Sequence, residues 1–194
     1  MNKRVWRFRG TLFERMCRIR HRWLARIGPA TLAGLLLVPG AVSAQDVTEP
    51  VLKAAFIYNF AKFTEWPAAP AQEPFILCVV GDAAVGDALV EAVKARVLAG
   101  QNLGVSLIAP GDPALKCRLI YISGVTAQQA EQLVARLRDL PVLTISDLEG
   151  FTELGGTARF FFENGRLRFS VNRASAERAH LRLSSKLLSL AIRK

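Results

Sequence analysis

The run Phe75–Gly81, FILCVVG, followed at once by Asp82, decides how this chain is read. It is a strand-length stretch without a charge, of the kind found in strands covered on both faces. Asp82 is placed to cap a helix running to about Arg96. Downstream the alternation repeats. Val105–Ala109 reads as a second strand, closed by Pro110-Gly111-Asp112-Pro113, and Leu119–Ser123 as a third. Thr126 with Gln129 forms a capping box opening a helix with Leu133, Val134 and Leu137 on one face. Val142–Ser146 is a fourth strand. A β-α-β rhythm predicts an α/β fold: one compact domain, a mixed but mostly parallel sheet, and helices on both faces.

The pattern changes at Thr157. Thr157–Glu163 and Arg166–Val171 flank Asn164-Gly165, the strongest short signal for a two-residue hairpin turn. That turn pairs Glu163 with Arg166, Phe162 with Leu167, Phe161 with Arg168 and Phe160 with Phe169. Alternation then puts Phe160, Phe162, Leu167 and Phe169 on an inward face. Phe161 falls beside Arg168 on the polar face, a predicted cation–π pair and the one hairpin aromatic without a core role. These two residues are the candidate partner-binding positions. Asn172 can cap a short helix, and Ser184–Ile192 reads as a last amphipathic one.

Upstream, Leu52–Pro67, LKAAFIYNFAKFTEWP, reads as a helix capped by Thr48 and stopped near Trp66 by Pro67. Phe56, Phe60, Phe63 and Trp66 share one side, with Lys53, Lys62 and Glu65 lying elsewhere. The helix is expected to form one wall of the core.

The formal charge of the chain is +10, which by itself invites a nucleic-acid reading. Residues 1–44 hold nine Lys or Arg and a single acid, Glu14, so the rest carries only +2. A basic run, the apolar Ile27–Val38, and Val42-Ser43-Ala44 make the three parts of a secretory signal peptide. Cleavage is expected after Ala44, with Met16 an alternative start, leaving residues 45–194 as an exported domain without membrane insertion. No cysteine stands directly after the cleavage point, as a lipoprotein would need. The nucleic-acid reading loses its main support with the leader.

Cys78 and Cys117 remain in that domain. An oxidising compartment and an even count fit a disulfide, and two buried free thiols fit as well. Other chemistry is sparse. His180 is the one histidine past the leader, without a G-x-S-x-G elbow or a metal-spaced cysteine pair. Asp139, Asp147, Glu149 and Glu153 cluster near the fourth strand's end and read as solvated loop acids. Gly81 to Gly86 opens a helix after a strand, a candidate anion turn, but it lacks the third glycine of a dinucleotide fingerprint and the Lys of a P-loop. No metal, cofactor or catalytic residue is expected.

LKAAFIYNFAKFTEWP, ILCVVGDAAVGDAL, LIYIS, LTISDLEGFTELGG, FFENGRLRFSVN and LRLSSKLLSLA occur in this order and together resemble the YfiR-like periplasmic proteins. The resemblance implies a compact α/β domain without known catalysis. It implies a periplasmic protein that binds the sensor portion of a membrane diguanylate cyclase and represses cyclic di-GMP synthesis, so favouring neither biofilm nor exopolysaccharide. It also implies a disulfide at the strand positions of Cys78 and Cys117, while a second pair found near the hairpin in some members is absent. An alternative is a small-ligand-binding accessory protein for a sensor kinase or an outer-membrane receptor. Homodimer formation stays open.

Overall fold

The computed structural model describes residues 47–67, 73–113 and 116–192. The predicted leader lies outside the described residues.

The apolar run becomes strand β2, Phe75–Val80, flanked by β4, Gln101–Ile108, and β5, Cys117–Ile122, both parallel to it. Next come β6, Leu143–Ser146, and β7, Ala158–Glu163, again parallel, and β8, Arg166–Val171, antiparallel to β7. At the other edge β3, Val97–Leu98, turns back on β4. The order β3-β4-β2-β5-β6-β7-β8 defines a sheet of 7 strands among the described residues. Its parallel core, β4-β2-β5-β6-β7, has the 2-1-3-4-5 order of a doubly wound sheet. The expected α/β class, mostly parallel sheet and C-terminal hairpin are all present.

Helices cover both faces. On the first, α1, Glu49–Lys62, and α2, Ala83–Val93, pack over Leu77, Val79, Leu119, Tyr121 and Ile145. Phe60 of α1 meets Phe169 edge-on with ring centroids 5.0 Å apart and Phe160 at 5.5 Å. The hairpin is thereby locked to the N-terminal helix by aromatic contacts as well as buried area. The short α4, Arg173–Arg178, and α5, Ser185–Leu190, add Ala176 and Leu187 to the same core. On the second face α3, Ala127–Leu137, lays Leu133, Val134 and Leu137 over Val80, Ile120 and Ile122. Both halves of its capping box are made. The disulfide Cys78–Cys117 joins β2 to β5 beneath that helix, with Cα atoms 5.8 Å apart.

Three details depart from the sequence reading. Helix α1 stops at Lys62, not near Trp66, because Thr64 Oγ1 donates to the Phe60 carbonyl at 2.7 Å and the chain straightens. Thr64–Glu65 (β1) then pairs with Arg182–Leu183 (β9). Trp66, freed from the helix, donates its Nε1 to the Arg118 carbonyl at 3.3 Å. Thr48 occupies the N-cap position of α1, but its side chain makes no capping hydrogen bond. Phe162 does not turn inward: it is 46% exposed, because the hairpin extends beyond the helices that bury Phe160.

Candidate functional site

Two polar clusters stand out, one in the sheet's centre and one on the hairpin. The first is built on Lys53, which helical spacing put outside the apolar stripe of α1. The structure buries it, because α1 lies across the sheet and its N-terminal half faces the ends of β5 and β6. Lys53 Nζ lies 2.7 Å from Asp147 Oδ2 and 2.7 Å from Glu49 Oε1, one turn earlier. Asp147 follows directly on β6, and Ser146 Oγ accepts from the Leu148 N–H at 3.0 Å, a local turn bond at that strand end. Tyr121 OH and Ser123 Oγ, from β5 and its end, each donate to the same Asp147 Oδ2 at 2.9 Å. Asp147 is therefore not one more solvated loop acid; it anchors three side chains, Lys53, Tyr121 and Ser123.

The electrostatics fix the protonation states. Burial works against the Lys53 ammonium, but its bonds to Asp147 and Glu49 more than offset this and hold its pKa above the ordinary lysine value. Burial likewise opposes the Asp147 carboxylate, and the Lys53, Tyr121 and Ser123 donors overcome it, so its pKa is lowered. Burial and the neighbouring carboxylate push the Tyr121 phenol up. All three hold fixed charge states at neutral pH: ammonium, carboxylate, phenol. None is poised as a proton carrier or amine nucleophile. The arrangement ties α1 to the carboxyl end of the sheet.

That end is where doubly wound folds place ligands, in the crevice at the switch point between the first and third strands, here β2 and β5. In this chain the crevice is filled by backbone. Ser123 N donates to the Val80 carbonyl at 3.0 Å, and a Cβ added at Gly81, whose φ is +83°, would lie 1.9 Å from the Ser123 carbonyl oxygen. Gly86 is buried in α2, where a Cβ would press on Leu107 at 3.2 Å. The Val85 N–H is already used, donating to Asp82 Oδ1 at 3.1 Å. Close packing thus accounts for both glycines of the candidate anion turn.

Phe161 and Arg168 face each other across the hairpin as expected. The cation over the Phe161 ring, however, is Arg159, at 5.3 Å, from two positions earlier on the same strand. Arg168 leans instead toward Glu163, with Nε 4.0 Å from Oε2. The Nε atoms of Arg159 and Arg168 and the hydroxyl of Ser170 are buried without a hydrogen-bond partner. Sequence reasoning had no signal for this beyond the alternation of arginines. His180 is exposed, in a left-handed turn (φ +56°) just past α4. Among the described residues no group of three or more His, Cys, Asp or Glu is arranged to hold a metal ion, and no helix is long and apolar enough to cross a membrane.

The model of the YfiR/HmsC-like family matches residues 50–192, and the chain belongs to that family. The family is regulatory and periplasmic, and its members act with membrane-bound partner proteins, control of diguanylate cyclases being its general theme.

Proposed function

We propose that this chain is a non-enzymatic periplasmic regulator that binds the periplasmic sensor portion of a membrane diguanylate cyclase and represses cyclic di-GMP synthesis. The family match across residues 50–192 carries the reading. The fixed charge states of Lys53, Asp147 and Tyr121 support it, because they make this centre a structural tie. Repression would work by population shift: a regulator that binds the cyclase's inactive conformation more tightly stabilises that conformation by the difference in affinity. Residues 1–44 would direct export and be removed in the process, so the mature protein would begin at Gln45, which N-terminal sequencing of the periplasmic form checks. Deleting the gene should raise cellular cyclic di-GMP, and crosslinking in intact cells should recover a membrane cyclase. An unchanged level with no cyclase recovered sinks the proposal.

One observation favours a second reading, a small-ligand accessory protein. An open groove of about 710 Å³ runs past Ser170, Asn172, Arg173, Leu188 and Ile192, and the Ser170 hydroxyl in its wall is buried without a partner. A thermal-shift screen of the purified protein tests it. Specific stabilisation by a small molecule, abolished by Ser170→Val, supports this reading; a uniformly silent screen rejects it.

A further inference from the structure

We infer that the outer face of the β7–β8 hairpin, centred on Arg159 and Arg168, receives an acidic segment of the protein partner; this rests on the regulator reading above and names its contact surface. Arg159, Phe161 and Arg168 are half-buried on this face, and Glu163 and Arg166 stand exposed at its end. The apolar cluster beneath α3 draws on β2 and β5, but no residue of β7 or β8 enters it. The register fixes what this face carries. Arg159 stands opposite Ser170, Phe161 opposite Arg168, and Glu163 opposite Arg166. Three arginines share the face with one glutamate, an excess of two positive charges.

The donors on this face are incompletely used. The Nε atoms of Arg159 and Arg168 lack acceptors, and the Arg168–Glu163 separation of 4.0 Å is an ion contact too long for a hydrogen bond. The Arg168 side chain as a whole is nevertheless 40% exposed, so part of its charge reaches the surface. The sheet's centre is the opposite case: there the buried Lys53 has two carboxylates at 2.7 Å. Guanidinium forks match carboxylates in bidentate geometry, and arginine together with aromatic residues is the composition enriched at interface centres. A flat ladder of arginines with a glutamate among them suits side-chain carboxylates on an extended or helical segment. It suits a uniformly anionic lipid surface less well, because Glu163 would face that surface too.

The test measures binding of the full purified chain to the intact membrane diguanylate cyclase recovered with it from cells, held in nanodiscs. Arg159→Glu/Arg168→Glu should weaken binding by about tenfold or more, and the exposed Arg166→Glu by about threefold. Lys94→Glu, on an exposed helix end away from the hairpin, should stay within about twofold. Raising salt from about 0.05 to about 0.3 M should weaken the wild type far more than the double variant. Arg166→Glu decides the matter if the double variant fails to fold. If the wild type binds and the hairpin variants bind equally well, the surface is wrong while the regulator reading stands. If the wild type binds no cyclase, both fall. If the variants lose attachment only to phosphatidylglycerol vesicles, the face is a lipid site and the inference is overturned.

Discussion

The centre of the sheet and its hairpin edge solve the same problem in opposite ways. Both place arginine or lysine beside aromatic rings on a β-ladder. At the centre, Lys53 is buried against Asp147 and Glu49, and Asp147 Oδ2 collects three donors. At the edge, Arg159 and Arg168 keep nitrogens without acceptors, and Phe162 stands in solvent two residues beyond the fully buried Phe160. The difference teaches that polar content does not mark a site here. A cluster whose every charge is answered holds the fold; a cluster with an excess of partly exposed charge leaves that charge for another molecule.

The sharpest way to break that contrast is to cut the core where the two regions join. Phe160→Ala should cost about 4 kcal/mol, because a fully buried ring in contact with Phe56, Phe60 and Tyr121 is replaced by a cavity. Urea unfolding reads this directly. Removing the crosslink beneath α3 by Cys78→Ala/Cys117→Ala should cost about 3 to 4 kcal/mol for a bridge 39 residues apart, and reductant should reproduce the loss in the wild type. Asp147→Ala leaves the buried Lys53 with Glu49 alone and should cost about 3 kcal/mol, while Lys53→Met/Asp147→Leu should recover much of that. A double variant as unstable as the single would show that the cluster's value is not electrostatic.

The same cluster predicts a pH profile. Asp147 has a lowered pKa when folded, so its contribution is present above the ordinary carboxylate value of about 4 and is lost as pH falls through the folded value. Lys53 and Tyr121 have raised pKa values, so their contributions are present below about pH 10 and are lost as pH rises through the folded values. The unfolding midpoint should therefore be flat from about pH 5 to about pH 9 and fall at both ends, with Asp147→Asn flattening the acid limb. The smallest effect belongs to the edge: Phe162→Ala should change stability by less than about 0.5 kcal/mol. A larger loss would mean that the tip is part of the core after all.

Much of the architecture was legible in the sequence. Local chemistry announced itself: Asn164-Gly165 set every pair of the hairpin register, Thr126 and Gln129 set the start of α3, and the uncharged FILCVVG set a strand with helices on both sides. What failed were statements about where the core ends. Alternation gives the face of Phe162 but not the reach of the helices above it, so an inward-facing position became an exposed one. Helical spacing gives the stripe of α1 but not how much of its circumference the sheet and α2 cover, so Lys53 falls off the stripe and its burial does not show in the pattern. Its partner Asp147 lies 94 residues away, beyond any local pattern. The arginine face was half visible: Arg168 was identified, but Arg159, whose guanidinium lies over Phe161, was not.

The pairing of β1 with β9 sets an order of events for a chain delivered N-terminus first. Thr64 and Glu65 find their partners only at Leu183 and Arg182, and Ser184 N closes on the Phe63 carbonyl at 2.9 Å. Phe60 likewise waits for Phe160 and Phe169. Helix α1 is therefore the earliest element to emerge and among the last to be completed, since contacts of such long range close late. During that interval its aromatic surface is open to whatever escorts the chain. A protein shortened by its final dozen residues should lose not only its tail but the closure of its first helix.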